Sequence, residues 1–544
     1  MLSTMQNSQL TIRSILEHGT RLYPNSKVYT YLGGETSSHS FKEIGERAAQ
    51  LAHALLSLGV RDSDRVATFC FNHNQHLEAY YAVPCMGAVL HTLNVRLFEE
   101  QIRHVINDAQ DKVIIADGFV LGLLGKVIAD CPSVEAIITV GATSEEALSA
   151  FKGISHYDYE ALIKDMPTMF EWPELNELHA AAMCYTSGTT GNPKGVVYSH
   201  RSSWLHAIAS GSANSLGIQK DDSVLTIVPM FHVNAWGVPY AAFFAGSDMI
   251  MPGRFLQPQP LADMFKSLRP TLSLGVPTIW NDLLQYSYAN EVDLSSLRYI
   301  TAGGSSPPPS LIEAYKEKFG VWMVQGWGMT ETSPLCTISL PPRGTPEDDW
   351  FRYIVTAGAP VAGVELRIVS SEGEVMPWDG SSLGEIQVRG PWITGSYYNV
   401  TDSDSFDDGW LKTGDIGTMD KEGYLRISDR TKDVIKSGGE WVSTVQLENA
   451  IMSHPDIIEA AVIGVPDERW NERPLACIVP KPGTTIDPDE MRQFLSSKVA
   501  KWWLPERWSI VEVIPKTSVG KFDKKVLRAK HAKGELDVQI TNKS

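Results

Sequence analysis

The chain has 544 residues, of which 43% are hydrophobic and 20% charged, and its formal net charge is -17. This length exceeds what a single hydrophobic core organises, so we expect two or more domains. An acidic surface repels nucleic acid, and no run of Lys and Arg offers a local exception, which argues against a nucleic-acid-binding function.

The cysteine spacing and the N-terminal segment indicate the compartment. The six cysteines are scattered, without a Cys-x-x-Cys pair or a metal-ligand spacing, which predicts buried, reduced thiols. Residues 1–11 lack the charged-then-apolar pattern of a secretory signal, and no apolar run approaches the roughly 18 residues of a membrane helix. We therefore expect a cytoplasmic enzyme without a membrane span.

The first half of the chain contains two similar strand–helix–strand units. Apolar residues at three- and four-residue spacing predict a helix over 40–60, followed by a strand at 65–70, a helix through Tyr80 and a strand at 88–92. The same order recurs as a strand at 223–228, a helical stretch through Tyr240 and a strand at 247–251. The repeat predicts two similar α/β subdomains with parallel sheets, although such patterns also arise by chance in α/β proteins.

The second half changes character after two further strands, at 297–301 and 322–324. From about Gly358, short strands at 364–369, 384–389 and 423–427 predict a small antiparallel β-module. A strand at 460–465 and a helix at 488–499 then predict a mobile α+β lid. The expected domains are a large N-terminal domain (1–429), a hinge (430–434) and a small C-terminal lid domain (435–544).

The segment Thr186–Gly195 is the strongest functional signal. Glycines allow close backbone approach to a ligand, hydroxyls and backbone N–H groups bind anions, and Lys194 adds a mobile positive charge. The Gly-Lys-Ser/Thr order of a P-loop ATPase is absent. The segment therefore predicts a different phosphate grip, composed of Thr186, Ser187, Gly188, Thr189, Thr190, Gly191 and Lys194.

Five further motifs follow the phosphate grip in a fixed order. They are Gly326–Thr332, Thr413–Asp415, Asp429–Asp433, Lys436–Trp441 and Pro515–Lys521. Over nearly the whole chain, this set resembles the adenylate-forming superfamily, which contains acyl-CoA synthetases, peptide-synthetase adenylation domains and luciferases. Within it, the apolar segments most resemble fatty acyl-CoA synthetases and 3-methylmercaptopropionate–CoA ligases.

The resemblance implies how ATP and Mg²⁺ are held. Glu331 is the expected Mg²⁺ ligand, with Thr186 near the metal, because a hard cation prefers oxygen ligands. Thr330 is expected at the α-phosphate. The adenine pocket is expected at strand ends and comprises Gly303, Gly304, Ser305, Gln325, Gly326 and Trp327. Many relatives carry Tyr where this chain has Trp327, so stacking on adenine is retained but a phenol contact is not.

The resemblance also assigns residues to the ribose, the lid and CoA. Asp415 and Arg430 are expected at the ribose, Lys432 and Asp433 at the hinge, and Lys521 as the catalytic lysine of adenylation. The loop that contacts CoA in the thioester-forming state is expected to contain Lys436, Gly438, Gly439, Glu440 and Trp441, with Glu472 on the same face.

The acyl site is expected after the strand at 223–228. The resemblance places His232 beside the substrate carboxylate, with Val233 in the same wall and Trp236 as the gate of an acyl tunnel. Thr278, Trp280 and Gly304 are further candidates for this pocket. An apolar surrounding favours an aliphatic acid, and the bulk of Trp236 and Trp327 favours short or medium chains while leaving long chains open.

The expected function is therefore an AMP-forming carboxylate–CoA ligase that uses ATP, CoA and Mg²⁺, with His232, Glu331 and Lys521 in catalytic roles. Three alternatives stay open: an adenylation enzyme that loads a carrier protein, a luciferase-like oxygenase and a non-enzymatic nucleotide-binding regulator. The short stretch after Lys521 leaves no room for a fused carrier, which disfavours the first. The resemblance to fatty acyl-CoA synthetases also leads us to expect a homodimer.

Overall fold

A computed structural model describes residues 1, 3–186, 192–401, 403–430, 432–437, 440–467, 469–516 and 522–541, and it describes 436, 440 and 441 by their backbone alone. Within these ranges the helices, in chain order, are α1 (Ile12–Leu22), α2 (Phe41–Ser57), α3 (Asn74–Cys85), α4 (Glu99–Ala109), α5 (Leu121–Gly125), α6 (Glu145–Leu148), α7 (Tyr159–Ile163), α8 (His200–Gly211), α9 (Val238–Ala245), α10 (Pro258–Leu268), α11 (Pro277–Tyr286), α12 (Pro309–Phe319), α13 (Phe351–Ile354), α14 (Thr444–Met452), α15 (Pro488–Leu495) and α16 (Lys524–Ala532).

The strands fall into four sheets. In chain order they are β1 (Lys27–Tyr31), β2 (Thr36–Ser40), β3 (Arg65–Phe69), β4 (Val89–Thr92), β5 (Val113–Asp117), β6 (Ala136–Val140), β7 (Ser155–Asp158), β8 (Ala180–Tyr185), β9 (Gly195–Ser199), β10 (Ser223–Thr226), β11 (Asp248–Met251), β12 (Leu272–Gly275), β13 (Tyr299–Gly303), β14 (Met323–Gly328), β15 (Leu335–Ile338), β16 (Ala359–Pro360), β17 (Glu365–Val369), β18 (Gly384–Arg389), β19 (Phe406–Asp407), β20 (Trp410–Met419), β21 (Leu425–Arg430), β22 (Ile435–Ser437), β23 (Glu440–Val442), β24 (Ile457–Asp467), β25 (Asn471–Pro480), β26 (Arg507–Ile510) and β27 (Gln539–Ile540).

Two large, mainly parallel sheets form the body of the molecule. One has the order β7-β6-β5-β3-β4-β8-β9 and the other β16-β15-β14-β13-β12-β10-β11-β1-β2. The first repeat unit places β3 beside β4, and the second places β10 beside β11, both in parallel register. The prediction of two α/β subdomains with parallel sheets is confirmed. Each sheet also carries antiparallel strands at an edge, such as β9 and β15.

The N-terminal segment crosses into the second sheet, which the sequence analysis did not anticipate. Strand β1 pairs in parallel with β11, more than 200 residues further along the chain. Helices of both subdomains share one hydrophobic core, in which the ring of Phe41 on α2 stacks on Phe243 of α9 with centroids 3.8 Å apart. The two subdomains are therefore one packed unit.

Local sequence explains how the central helix α2 starts. Ser40 accepts a hydrogen bond from the backbone N–H of Glu43, and the Glu43 carboxylate accepts one from the Ser40 backbone N–H at 2.6 Å. This reciprocal pair satisfies two N–H groups that a helix start leaves unpaired, and it sets the start predicted from the apolar spacing.

The β-module and the lid follow. Strands β17, β18, β20, β19 and β21 form an antiparallel sheet, as predicted, although the ten-residue strand β20 was not expected. The lid has its own sheet of β22 to β27 and its own apolar clusters. All six cysteines are unpaired and buried, which confirms the prediction for them. None of the helices in the described part of the chain combines the length and apolarity needed to cross a bilayer.

Candidate nucleotide and acyl site

Most of the described candidate residues lie at one edge of the larger sheet. Strands β10, β12, β13 and β14 run parallel, so their carboxyl ends meet at this edge. The segments that leave these ends contain His232, Thr278, Gly304 and Thr330. Loops at this position are the usual ligand site of open α/β sheets.

The described part of the phosphate grip is joined to the candidate metal ligand by a tyrosine. The Tyr397 hydroxyl donates to Glu331 Oε1 at 2.7 Å, and the Lys194 ammonium lies 4.7 Å from the centroid of the Tyr397 ring. The Lys194 backbone N–H donates to Thr186 Oγ1 at 3.1 Å, and the Thr186 N–H donates to the Lys194 carbonyl at 2.9 Å. Ser187, Gly188, Thr189, Thr190 and Gly191 lie outside the described residues.

Burial keeps the Tyr397 hydroxyl protonated. Glu331 and Tyr397 are both buried. Burial, together with the neighbouring Glu331 carboxylate, raises the pKa of the Tyr397 hydroxyl, which keeps it a hydrogen-bond donor. A carboxylate with one oxygen held by a phenol, and the hydroxyl of Thr186, are hard oxygen donors. Glu331 and Thr186 therefore fit Mg²⁺ in company with nucleotide phosphates.

A second tyrosine forms a hydrogen bond between the two subdomains beside the phosphate grip. Tyr198 of β9, which follows the phosphate grip in sequence, donates its hydroxyl to the Thr330 carbonyl at 2.7 Å. Thr330 is itself buried. The phosphate grip of one sheet and the Thr330–Glu331 segment of the other are thus held in a fixed relation.

Trp327 and the two ribose candidates form a single chain of contacts. The Trp327 indole N–H donates to Asp415 Oδ2 at 2.9 Å, and Arg430 Nε lies 3.0 Å from Asp415 Oδ1. Trp327 is 8% exposed and packs against the β-module core. Its stacking on adenine stays a prediction, whereas its hydrogen bond to Asp415 is a role that the sequence alone did not indicate.

The remaining adenine candidates occupy the turn after β13 and the start of β14. Gln325 is buried, and its side-chain oxygen accepts a hydrogen bond from Ser306 at 3.1 Å, so it supports this turn. Gly304 has a φ of +82°, which favours glycine. A methyl group on Gly303 would lie 3.0 Å from the Gly326 carbonyl oxygen, so the two backbones approach closely there.

The acyl-site candidates lie on an unusual left-handed turn. Val233, Asn234, Ala235 and Trp236 have φ values of 46°, 51°, 48° and 56°. Each such L-residue costs about 1–2 kcal/mol, so surrounding contacts must compensate. Buried Asn234 supplies two of them, because its Oδ1 accepts from the Tyr80 hydroxyl at 3.4 Å and from the Cys184 thiol at 3.5 Å.

This left-handed turn places the Trp236 side chain against the turn after β13, where the adenine candidates lie. A methyl group on Gly303 would lie 2.6 Å from the Trp236 ring, which places the indole directly against the Gly303 backbone. Trp280 is fully buried against Gly275 and Tyr315 in the core, so the structure does not bring it to the Trp236 turn. His232 begins the turn at the same sheet edge.

A cleft of roughly 330 Å³ lies between the sheet edge and the lid. Thr278 and Ser305 line it from the large domain, and Glu448 and Phe522 line it from the lid. Lys521 lies outside the described residues, but its neighbour Phe522 is in this wall. Phe522, the described residue next to Lys521 in sequence, therefore faces the cleft.

The residues around the predicted hinge contact the lid through charges. The Asp433 carboxylate lies 2.7 Å from the Arg528 guanidinium of α16, while Lys432 is exposed. The candidate CoA loop falls on strands β22 and β23, where the backbone of Lys436 pairs with that of Trp441 and that of Ser437 with Glu440. Gly438 and Gly439 lie outside the described residues.

Glu472 lies close to the candidate CoA loop. It is on β25, immediately after Asn471, which pairs with Ser437 of β22. The structure thus brings the Glu472 segment and the β22–β23 hairpin together, as expected from the resemblance.

Tyr397 and Asn234 are the site residues that sequence reasoning missed. Tyr397 is 66 residues from Glu331 in sequence, and no glycine-rich or charged motif marks it. Asn234 lies inside a segment already selected, but its carboxamide faces inward to Tyr80, 154 residues away. No local pattern encodes contacts of such sequence separation.

Comparison with known proteins agrees with this geometry. The model of the AMP-binding enzyme family matches residues 16–398, and that of the AMP-binding enzyme C-terminal domain matches 446–521. The chain is 41% identical to a 3-methylmercaptopropionyl-CoA ligase of Ruegeria lacuscaerulensis, over 97% of this chain and 98% of that protein. It is 40% identical to a medium-chain-fatty-acid–CoA ligase of Ectopseudomonas oleovorans, over 98% of each.

Solved structures show the same fold. A crystal structure of an anthranilate CoA ligase in complex with anthranoyl-AMP superposes with a TM-score of 0.86 at 25% identity, over 96% of this chain and 98% of that one. With both family models matched in order along its length, the chain belongs to the AMP-binding enzyme family, the adenylate-forming enzymes.

Proposed function

We propose that this protein is an AMP-forming acid–thiol ligase that activates an aliphatic carboxylic acid with ATP and transfers the acyl group to CoA. The observation that carries the proposal is the joined set of Thr186, Lys194, Tyr397 and Glu331 at the carboxyl edge of a parallel sheet. Cationic, hydroxyl and carboxylate groups in that arrangement suit a nucleotide triphosphate with its metal.

In the first half-reaction, a carboxylate oxygen attacks the α-phosphorus of ATP and diphosphate leaves. Lys194 and the phosphate grip hold the outer phosphates, and Asp415 with Arg430 holds the ribose. Glu331 and Thr186 would hold Mg²⁺, which would neutralise charge at the phosphates. Lys521 stabilises the negative charge that develops at the α-phosphate, and His232 orients the acid.

In the second half-reaction, the CoA sulfur attacks the acyl carbon and AMP leaves. We assign the large domain to 1–429, the hinge to 430–434 and the lid to 435–544, with rotation at Lys432 and Asp433 exchanging the lid face presented to the site. The contact between Asp433 and Arg528 supports a defined lid position. The β22–β23 hairpin, including Trp441, and the adjoining Glu472 form the face that meets CoA.

The acid is aliphatic, either a fatty acid of short to long chain or a thioether acid such as 3-methylmercaptopropionate. Trp236 lies directly against the Gly303 backbone, and its bulk favours a short or medium chain, while an indole that turns aside leaves long chains open. The names of the two relatives, which cite a thioether acid and a medium-chain fatty acid, agree with an aliphatic acid. We further propose a cytoplasmic homodimer that requires Mg²⁺.

One set of assays tests the proposal. Purified protein is incubated with ATP, Mg²⁺, CoA and acids from acetate through palmitate, together with thioether and aryl acids. We expect AMP and diphosphate in an acid-dependent manner, with acyl-CoA as product. ADP and orthophosphate would refute an adenylating enzyme, and transfer only to a carrier protein would favour the carrier-loading alternative.

The lysine assignment has its own test. Lys521→Ala should abolish diphosphate release but spare thioester formation from a preformed acyl-adenylate, because the lysine acts only at the α-phosphate. Trp441→Ala is the complementary variant and should impair the CoA-dependent step. Equal loss of both half-reactions in Lys521→Ala would contradict the assigned role.

A further inference from the structure

A buried histidine–aspartate pair lies beside the phosphate grip and has no role in the function described above. His91 is on β4, and its Nδ1 lies 2.9 Å from both carboxylate oxygens of Asp111. Both residues are fully buried. An Nδ1–H that donates to a carboxylate leaves Nε2 as an acceptor, and this Nε2 is buried without a hydrogen-bond partner among the described residues.

The histidine lines a small cavity that reaches the candidate site. Thr186, Phe231 and His232 also line this cavity. The space open to the centre of a water-sized sphere is about 10 Å³, which is room for about one water molecule. A buried water needs two to four polar partners, and the unpartnered Nε2 of His91 and the hydroxyl-bearing Thr186 belong to lining residues of this cavity.

A second buried pair in the same sheet shows what a purely structural arrangement looks like. His73 Nε2 lies 2.8 Å from Asp117 Oδ1, and its Nδ1 accepts from the His76 backbone N–H at 3.2 Å. Both ring nitrogens of His73 are therefore used, Nδ1 in capping α3 and Nε2 in the contact with Asp117. In the His91–Asp111 pair, Nε2 of His91 has no hydrogen-bond partner among the described residues, and His91 lines the same cavity as His232.

The chemistry of the proposed reaction needs one proton acceptor. An ionised carboxylic acid loses no proton when it attacks ATP, because carboxyl groups titrate near pH 4. The CoA thiol, by contrast, must lose its proton to form the thioester. An aspartate-oriented imidazole with a free nitrogen is the usual arrangement for accepting such a proton.

We propose that the His91–Asp111 pair accepts the CoA thiol proton through a water molecule held in this cavity. The inference rests on the proposed CoA ligase function. The thiol proton passes to the water, which gives one of its own protons to His91 Nε2. The sulfur–carbon bond forms, the bond from the acyl carbon to the AMP phosphate oxygen breaks, and AMP leaves with that electron pair. The imidazolium then returns its proton to solvent.

Few titratable groups face the pair. Arg65 of β3 and the Cys131 thiol lie near the Asp111 carboxylate. Tyr185 of β8 has its ring 5.1 Å from the His91 ring, and its hydroxyl donates to Asp108 of α4 at 2.6 Å. His232 shares the cavity. Burial and the Asp108 carboxylate raise the pKa of Tyr185, so it stays neutral in the range where a histidine titrates.

The test separates the two half-reactions. His91→Gln and, as a matched control, His73→Gln are assayed for acid-dependent diphosphate release and for thioester formation in a single turnover from preformed acyl-adenylate, across about pH 5.5 to 8.5. We expect His91→Gln to slow thioester formation about a hundredfold, to alter its pH profile and to leave diphosphate release unchanged. His73→Gln should keep the wild-type pH profile.

Three results would overturn the inference: an unchanged pH profile in His91→Gln, equal loss of both half-reactions, or the same profile change in His73→Gln. If His91→Gln does not fold, Asp111→Asn decides by the same two measurements. Failure of the CoA ligase proposal is distinguishable, because wild-type protein would then form no AMP at all.

Discussion

The hydrogen bond from Tyr397 to Glu331 gives the sharpest test of the candidate metal site. Tyr397→Phe removes only the hydroxyl, which lies 2.7 Å from Glu331 Oε1 in a buried setting. A hydrogen bond to a charged group is worth about 1.5–3 kcal/mol. Since about 1.4 kcal/mol is a factor of ten, kcat/KM for Mg-ATP should fall about 10- to 150-fold.

The assay is acid-dependent diphosphate release measured over a range of Mg²⁺ concentrations. If Tyr397 holds Glu331 for the metal, Tyr397→Phe should require more Mg²⁺ for half-maximal activity. Tyr424→Phe is the matched control, because it removes a hydroxyl that donates at 2.6 Å to the carbonyl of Leu340, in the segment after β15. Wild-type Mg²⁺ dependence in Tyr397→Phe, or an equal change in the control, would refute the reasoning.

Three further variants test other parts of the site. Trp236→Ala removes the indole that lies against Gly303 and so opens space for a longer acyl chain. Each additional buried methylene contributes about 0.8 kcal/mol, so kcat/KM should rise about fourfold per added carbon in a series of acids. An unchanged optimum chain length contradicts the assignment of Trp236 as a gate. Asp415→Ala leaves the Arg430 guanidinium, whose side chain is 37% exposed, without its carboxylate partner, so the free energy of unfolding in urea should fall by about 1–3 kcal/mol. The KM for ATP should rise in the same variant. An unchanged KM excludes the ribose role. Burial lowers the pKa of His206 to about 3, so the unfolded chain binds a proton below about pH 6.5 that the native state does not. The free energy of unfolding should therefore fall as the pH decreases from about 6.5 to 3. His206→Gln should make the free energy of unfolding, measured in urea, depend less on pH. An unaltered pH dependence contradicts the lowered pKa of His206.

Much of the fold could be predicted from local patterns. Apolar spacing gave α2 within a few residues of its bounds, and the two strand–helix–strand units are in two different parallel sheets. The predicted helix at 488–499 ends earlier, at Leu495, since the following residues leave the helix before the Lys501–Trp503 turn. Strand β20 was missed because its glycine and charged residues disfavour a strand locally, while pairing with β18 and β21 stabilises it.

The sequence by itself determined the chemistry, because backbone-binding glycines, hydroxyls and a lysine in fixed order specify a phosphate grip at short range. Tertiary structure alone decided which side chains complete the site. Tyr397 meets Glu331, Trp327 meets Asp415, and His91 meets Asp111 with a nitrogen left over. These partners lie between 20 and 88 residues apart and become neighbours only when different segments of the chain pack together. A contact of that kind depends on packing across the sheet, which no local pattern of residues encodes.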